Sequence, residues 1–299
     1  MTRPASDPAR GRDATPWVTV QRPAGVGAPL VFDSPHSGIT YPDNFRPAAA
    51  RSAVLTTWDA YVDELLAGVT TAGATLIAAR FPRAYIDTNR AANDIDPALL
   101  ESPWPEPTEL SEHAGRGMGL IRRYALPGIP MYDRRLPVAE VRQRIERHYL
   151  PYRRTLQAEI DDAVARHGFV WHFNCHSMKS RGNAMNRDAG APRPDFVLGD
   201  RDGTSAPRDF TAWVAAWLVA QGHRVAINEP YRGADIVRAH GAPARGRYSL
   251  QIEINRGLYL DEATCERAAG FAALQEELTR FALAVAEFAR KCPPRPASG

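Results

Sequence analysis

Nine residues, Phe169 to Ser177 (FVWHFNCHS), constrain this chain more than any other stretch: apolar Phe169, Trp171, Phe173 and Cys175 alternate with His172, Asn174 and His176. A repeat of two is that of a β-strand. Successive side chains then point to opposite faces, so the apolar set packs on one side and the two histidines share the other with an amide. A lone histidine in such a strand reads most simply as part of a solvent-facing edge. Two histidines flanking an amide, closed by Ser177, favour metal or catalytic chemistry, because imidazole is both a metal ligand and a proton carrier near neutral pH.

Polar residues gather at the ends of other apolar runs. Ala28 to Asp33 (APLVFD) reads as a buried strand broken by Ser34-Pro35-His36-Ser37-Gly38, which puts His36 at a strand's carboxyl end, where α/β sheets bind ligands. Thr57 to Thr71 has helical spacing, with Val62, Leu65, Leu66 and Val69 on one side and Thr57 as its cap. Asp59 then falls near the helix N-terminus, and on spacing alone the favoured role is to answer the helix dipole. Thr75 to Ala79 and Arg83 to Arg90 read as strands, the second ending in Asp87, Asn89 and Arg90. Residues 93–137 are rich in proline, and their glycine run, Gly115 to Gly119, lacks the following GK[ST] of a phosphate loop, so they read as an irregular excursion over the sheet.

Val138 to Val164 is amphipathic and interrupted near Pro151, as two helices or one kinked helix. Pro194 to Asp200 and Arg224 to Ile227 read as strands around a helix at Phe210 to Gln221, and Asn228 to Gly246 as a polar loop carrying Tyr231, Gly233 and Arg238. Ser249 to Asn255 (SLQIEIN) alternates again, with Glu253 in mid-strand. A buried carboxylate is costly unless it is paired or faces a metal, so Glu253 belongs either to the site or to a salt bridge with an arginine. Glu262 to Ala289 reads as a closing helix. Strands alternating with helices imply a layered α/β/α domain.

A chain of 299 residues can bury a large core, and no long linker divides it, so one domain is expected over residues 17–291. Residues 1–16 read as a disordered tail and 292–299 as a flexible one. Thirty-seven basic against 34 acidic residues, a net charge of +3, are too balanced for a non-specific nucleic-acid binder. Three scattered cysteines, Cys175, Cys265 and Cys292, form no disulfide framework, and no apolar run is long enough to span a bilayer. These features suggest a reduced, cytoplasmic protein acting on a small molecule, with neither membrane nor nucleic acid as partner; the oligomer stays open.

Seven blocks in order resemble one family. They are SPHSG at 34–38, WDAYVDEL at 58–65, YIDTNR at 85–90, NCHSM at 174–178, PDFVLGDRDG at 194–203, PYRGADIVRAHG at 230–241 and SLQIEINRGLYLDE at 249–262. Over about Ala28 to Ala289 the chain resembles the N-formylglutamate amidohydrolases, zinc-dependent hydrolases similar in fold to the zinc carboxypeptidases. The resemblance implies a three-layer α/β/α, phosphorylase/hydrolase-like fold around a central mixed sheet. It also implies one Zn2+ ion per chain, or another divalent metal, held by His36, His176 and Asp59, with Asp63 as the substitute for Asp59. Glu253 matches the general base. Arg90 would polarise the scissile carbonyl, Arg238 and Arg256 would hold substrate carboxylate, and Tyr231, Gly233 and Asn255 would complete the substrate site. Asn174 and Ser177 would lie behind the ligands. Many members read Asp-x-His-Ser where this chain has Asn174-Cys175-His176-Ser177, so an amide replaces a carboxylate there. The implied reaction is hydrolysis of N-formyl-L-glutamate, or of another N-acyl amino acid or short peptide, with a non-catalytic metal- or ligand-binding role as the rival reading.

Overall fold

In the computed structural model, which describes residues 16–291, the alternating run becomes a strand at the middle of a seven-stranded sheet. The tails expected at either end lie outside the described residues, apart from Pro16. The strands are β1 (Val18–Gln21), β2 (Leu30–Ser34), β3 (Thr75–Ala79), β4 (Tyr124–Leu126), β5 (Ile129–Pro130), β6 (Val170–Met178), β7 (Phe196–Gly199), β8 (Val225–Ile227) and β9 (Arg247–Asn255). The α-helices are α1 (Arg51–Leu55), α2 (Val62–Leu65), α3 (Glu112–Gly115), α4 (Val138–Arg144), α5 (Leu150–His167), α6 (Arg208–Ala220), α7 (Asp235–His240) and α8 (Phe271–Lys291).

The main sheet runs β1-β3-β2-β6-β9-β7-β8, and β4 with β5 forms a separate hairpin. Strands β3, β2, β6 and β9 are parallel, β1 runs antiparallel at one edge, and β7 pairs antiparallel with β9, so the sheet is mixed as expected. All nine residues of β6 are buried. An edge strand with a wetted polar face is therefore excluded.

Each face of the sheet is covered. Phe32, Leu76, Trp171, Phe173, Cys175, Leu250, Ile252 and Ile254 pack under α2, α6 and α8 in one core. Val31, Ile77 and Val170 pack on the other side with Tyr152, Leu156 and Ile160 of α5 and with the excursion. Strand parity puts His172, Asn174 and His176 on this second side, together with Asp33, Gln251 and Glu253. Parallel registry then sets Asp33 beside Asn174, and His176 beside Glu253.

Several local expectations give way. Arg83 to Arg90 is a turn-rich loop, because Pro82 closes the preceding run and Asp87 caps the turn by accepting from the Asn89 N–H at 2.9 Å. The expected helix over 57–71 is only α2 followed by a 3-10 turn at Ala67–Ala72. Thr57 does not cap it; Tyr61, in the left-handed region at φ 57°, starts α2. Asp59 consequently precedes the helix, its N–H bonded to His36 O at 3.2 Å, and the dipole role falls away. The loop over 228–246 contains α7, and the closing helix starts at Phe271, not Glu262, since 261–270 turn back on themselves. The interruption near Pro151 is a π-turn at Ile145–Tyr149: proline lacks the N–H that an unbroken α-helix would need there.

Gly38 shows how tightly the loop after β2 is laid down. A β-carbon there would stand 2.1 Å from the Arg80 carbonyl carbon, so any other residue forces two backbone segments apart. This close approach holds the His36 loop against the end of β3. Among the described residues no helix is long and apolar enough to cross a membrane.

Candidate metal centre and active site

The carboxyl ends of β2 and β6, with the turn before α2, bring His36, His176 and Asp59 together. All three are buried, and one donor atom from each lies within 4.8 Å of the others. His36 Nδ1 is 3.0 Å from His176 Nδ1, and Asp59 Oδ2 is 3.0 Å from the His176 nitrogen and 3.3 Å from that of His36. Donors held by one tetrahedral ion at ~2.0–2.1 Å stand ~3.3 Å apart, so the triangle is close to one face of such a tetrahedron.

The opposite ring nitrogens set how the two rings are turned. His36 Nε2 lies 2.8 Å from Asp87 Oδ1, an acceptor, and so carries its hydrogen. His176 Nε2 lies 2.8 Å from Asn174 Oδ1, whose amide is oriented because Nδ2 donates to both oxygens of Asp33 at 2.9 and 3.1 Å. The Asn89 amide lies beside the same ring: its Nδ2 is 2.9 Å from His176 Nε2 and 3.3 Å from Asn174 Oδ1, and its Oδ1 accepts from the Ile236 N–H at 2.8 Å. His176 Nε2 thus meets both an amide oxygen and an amide N–H, and the Nδ1 atoms of both rings face Asp59 and each other. Two imidazole nitrogens and a carboxylate oxygen, buried and turned towards one point, are a donor set that zinc takes, so the residues fit a metal.

Burial would push the Asp59 carboxyl up, yet hydrogen bonds to His176 and His36 and the Arg83 charge hold it well below the usual carboxylate range. Its second oxygen takes Arg256 Nη2 at 3.2 Å. Asp87 is likewise held well below that range: burial opposes ionisation, but Arg83 and His36 overcome it, and Arg83 Nη2 donates at 2.7 Å.

Behind His176 the carboxylate missing at position 174 is supplied one residue further back. Asp33 accepts from Asn174, from His172 Nε2 at 2.8 Å and from the Tyr152 hydroxyl at 2.5 Å, while Ser249 Oγ holds His172 Nδ1 at 2.7 Å. His172 is thus tied into the interior and lies outside the metal cluster. Burial raises the Asp33 carboxyl, but the His172 contact with the Tyr152 and Asn174 bonds lowers it below 3.8 overall. Asp33→Ala strands several buried donors, and an expected loss of ~3–5 kcal/mol follows from breaking one side of such a network. Denaturant unfolding of metal-free protein checks this; a loss under ~1 kcal/mol would contradict it. Since the folded-state value is lowered, the stabilisation is fully present above pH 3.8 and is lost as the pH falls through that lower value.

Glu253, 8 % exposed, projects on the same face as its register partner His176. Burial raises its carboxyl above the usual 4.5. It accepts from Gln251 Nε2 at 2.9 Å and makes no ion pair among the described residues, which removes the salt-bridge alternative. Asp63 lies outside the cluster; its N–H donates to Ser37 Oγ at 3.1 Å.

A pocket opens against Asp59, and Arg256, Ser177 and Tyr231 line it. Ser177 Oγ accepts from Arg256 Nε at 3.0 Å. His36, His176, Asn174 and Glu253 lie behind this lining, and four residues expected at the substrate sit apart from it. Arg90 donates to Met118 O and Asn89 O at 2.9 Å each, and Asn255 to Pro194 O at 2.9 Å. Arg238, with a 57 % exposed side chain, pairs with Asp235, and Gly233 at φ 100° packs against Gly199. Sequence reasoning missed Arg83, Asp87 and Asp33 as parts of the site. Asp33 shares strand parity with Val31 and was legible as an inward carboxylate; only the loop brings Asp87 to His36, and Arg83 to Asp87 and Asp59.

Comparison with known proteins agrees with this architecture. The curated N-formylglutamate deformylase of Pseudomonas putida is 28 % identical over 240 residues, covering 78 % of this chain and 82 % of the relative. Its Pseudomonas aeruginosa counterpart is 26 % identical over 238 residues, with 78 % and 83 % covered. The crystal structure of N-formylglutamate amidohydrolase from Ralstonia eutropha JMP134 is 46 % identical and superposes with a TM-score of 0.88, over 92 % of this chain and 99 % of that one. The gene product Atu2144 of Agrobacterium tumefaciens, 21 % identical over 91 % of this chain and 96 % of its own, shares the fold with a TM-score of 0.61. A family profile described as N-formylglutamate amidohydrolase matches residues 28–260, and the chain therefore belongs to the N-formylglutamate amidohydrolase family.

Proposed function

We propose that this chain is a zinc-dependent amidohydrolase that cleaves N-formyl-L-glutamate to formate and L-glutamate. The observation that carries the reading is the convergence of His36 Nδ1, His176 Nδ1 and Asp59 Oδ2 on one face with Glu253. Relatives named for deformylation of N-formylglutamate support the substrate.

His36, Asp59 and His176 would hold the ion, with Asp87 and the Asn174–Asp33 pair fixing the two rings from behind. Zinc held by three such ligands supplies Lewis acidity and lowers the pKa of water to ~7. Glu253 takes the proton of the water that attacks the formyl carbon and passes it to the leaving nitrogen as the C–N bond breaks. Its buried, raised carboxyl makes it a stronger base than an exposed glutamate, and Gln251 aims it. Arg256 and Arg83 keep Asp59 ionised and oriented.

An assay of N-formyl-L-glutamate beside other N-acyl amino acids, with metal analysis and with and without chelator, tests this. Fastest turnover of N-formyl-L-glutamate, lost on chelation and restored by zinc, is the expected result. Turnover that survives complete metal removal would exclude metal dependence, and preference for a different acyl amino acid would replace the substrate.

A further inference from the structure

We propose that Arg122 grips a carboxylate of the substrate and so selects dicarboxylic ligands; the inference deepens the hydrolase reading above and rests on it. The pocket against Asp59 is lined by five cations, Arg83, Arg122, Lys179, Arg193 and Arg256. Three of the arginines are already engaged. Arg83 pairs with Asp87 at 2.7 Å, Arg256 with Asp59 at 3.2 Å, and Arg193 with Asp188 through two bonds of 2.6 and 2.8 Å.

Arg122 differs. It is 8 % exposed, yet its side chain makes no hydrogen bond or ion pair among the described residues, and its buried Nε has no partner. A buried guanidinium without an anion costs stability, so the fold alone gives no reason to keep it there. Burial and the neighbouring Arg83 and Arg90 charges push its pKa down to about 9, a fall that the Asp87 and Asp59 carboxylates only partly offset. Guanidinium is planar and matches a carboxylate through two parallel bonds, and a dicarboxylate brings the missing anion. The proline-rich excursion thereby has a purpose: its turn at Met118 to Arg122 carries this cation over the sheet's carboxyl end. Lys179, next after β6, adds to the same wall a half-buried cation with no ion pair among the described residues.

Titration calorimetry with L-glutamate, L-glutamine and L-isoglutamine on wild type, Arg122→Gln and Arg122→Lys tests the assignment without turnover. Arg122→Gln should weaken L-glutamate ~10- to 100-fold, the worth of a charge-assisted bond pair, and leave unchanged the affinity for the one amide that lacks the gripped carboxylate. Arg122→Lys should recover part of the loss, and the thermal midpoint of Arg122→Gln should equal or exceed that of wild type. Equal weakening of all three ligands, unchanged L-glutamate binding, wild type that binds no L-glutamate, or a lowered midpoint would each overturn it. If wild type binds L-glutamate through Arg122 but hydrolyses no N-formyl-L-glutamate, the hydrolase reading fails and the carboxylate subsite stands. Hydrolysis without any Arg122 dependence gives the reverse.

Discussion

Glu253→Gln should lower kcat by ~100- to 10,000-fold per folded, metal-loaded molecule, the usual worth of a general base. The substitution keeps shape and the partnership with Gln251, because the amide retains an oxygen that accepts the Gln251 N–H. It removes only the ability to take a proton. Stability should move the other way. An acid whose folded-state value is raised above the unfolded one is penalised when ionised, so its contribution to stability falls as the pH rises through that range. At neutral pH the metal-free variant should therefore melt at the same temperature as wild type or higher. Turnover within tenfold of wild type, at equal metal content, would remove Glu253 from the reaction.

His36→Ala or His176→Ala should reduce bound divalent metal from about one per chain to near zero and take turnover down to the level of added protein alone. Two remaining donors leave an open, weakly held site, and a zinc centre needs three protein ligands besides water. Far-UV circular dichroism should be unchanged for a reason visible in the contacts. Asp87 keeps Arg83 at 2.7 Å and the Asn89 N–H at 2.9 Å when His36 is lost. Asn174 keeps both bonds to Asp33 when His176 is lost. Full metal occupancy in either variant would show that the ion sits elsewhere, and global unfolding would make the site a structural one.

These expectations differ in how far they could be read without coordinates. Period-two alternation identified β6 and β9, because a pleated strand imposes that repeat regardless of what surrounds it. The same parity put His176 and Glu253 each on the polar side of its strand. Motif blocks then named His36, Asp59 and His176 as ligands, and the structure brings those three side chains together. Local spacing failed at Asp59: the stripe of Val62, Leu65 and Leu66 suggested one long helix, whereas the hydrogen bond from Asp59 N–H to His36 O holds the residue in a turn. Arg83 to Arg90 failed for a similar reason, since its buried polar groups bond to one another and to His36 instead of to a neighbouring strand.

By itself, then, the sequence determined the strand periods and a large α/β core, which depend on residue order and type, and its motif blocks pointed to His36, His176 and Asp59 with Asp63 as the substitute. Only the tertiary structure decided which nitrogen of each histidine faces the cluster, since each ring is turned by what its Nε2 meets: Asp87, 51 residues from His36, and Asn174, two from His176. It also decided that Asp33 supplies the charge absent at position 174, through strand registry. And it separated Arg122 from Arg83, Arg193 and Arg256: every one is an arginine in the chain, but whether an anion stands beside it is a matter of distance in space.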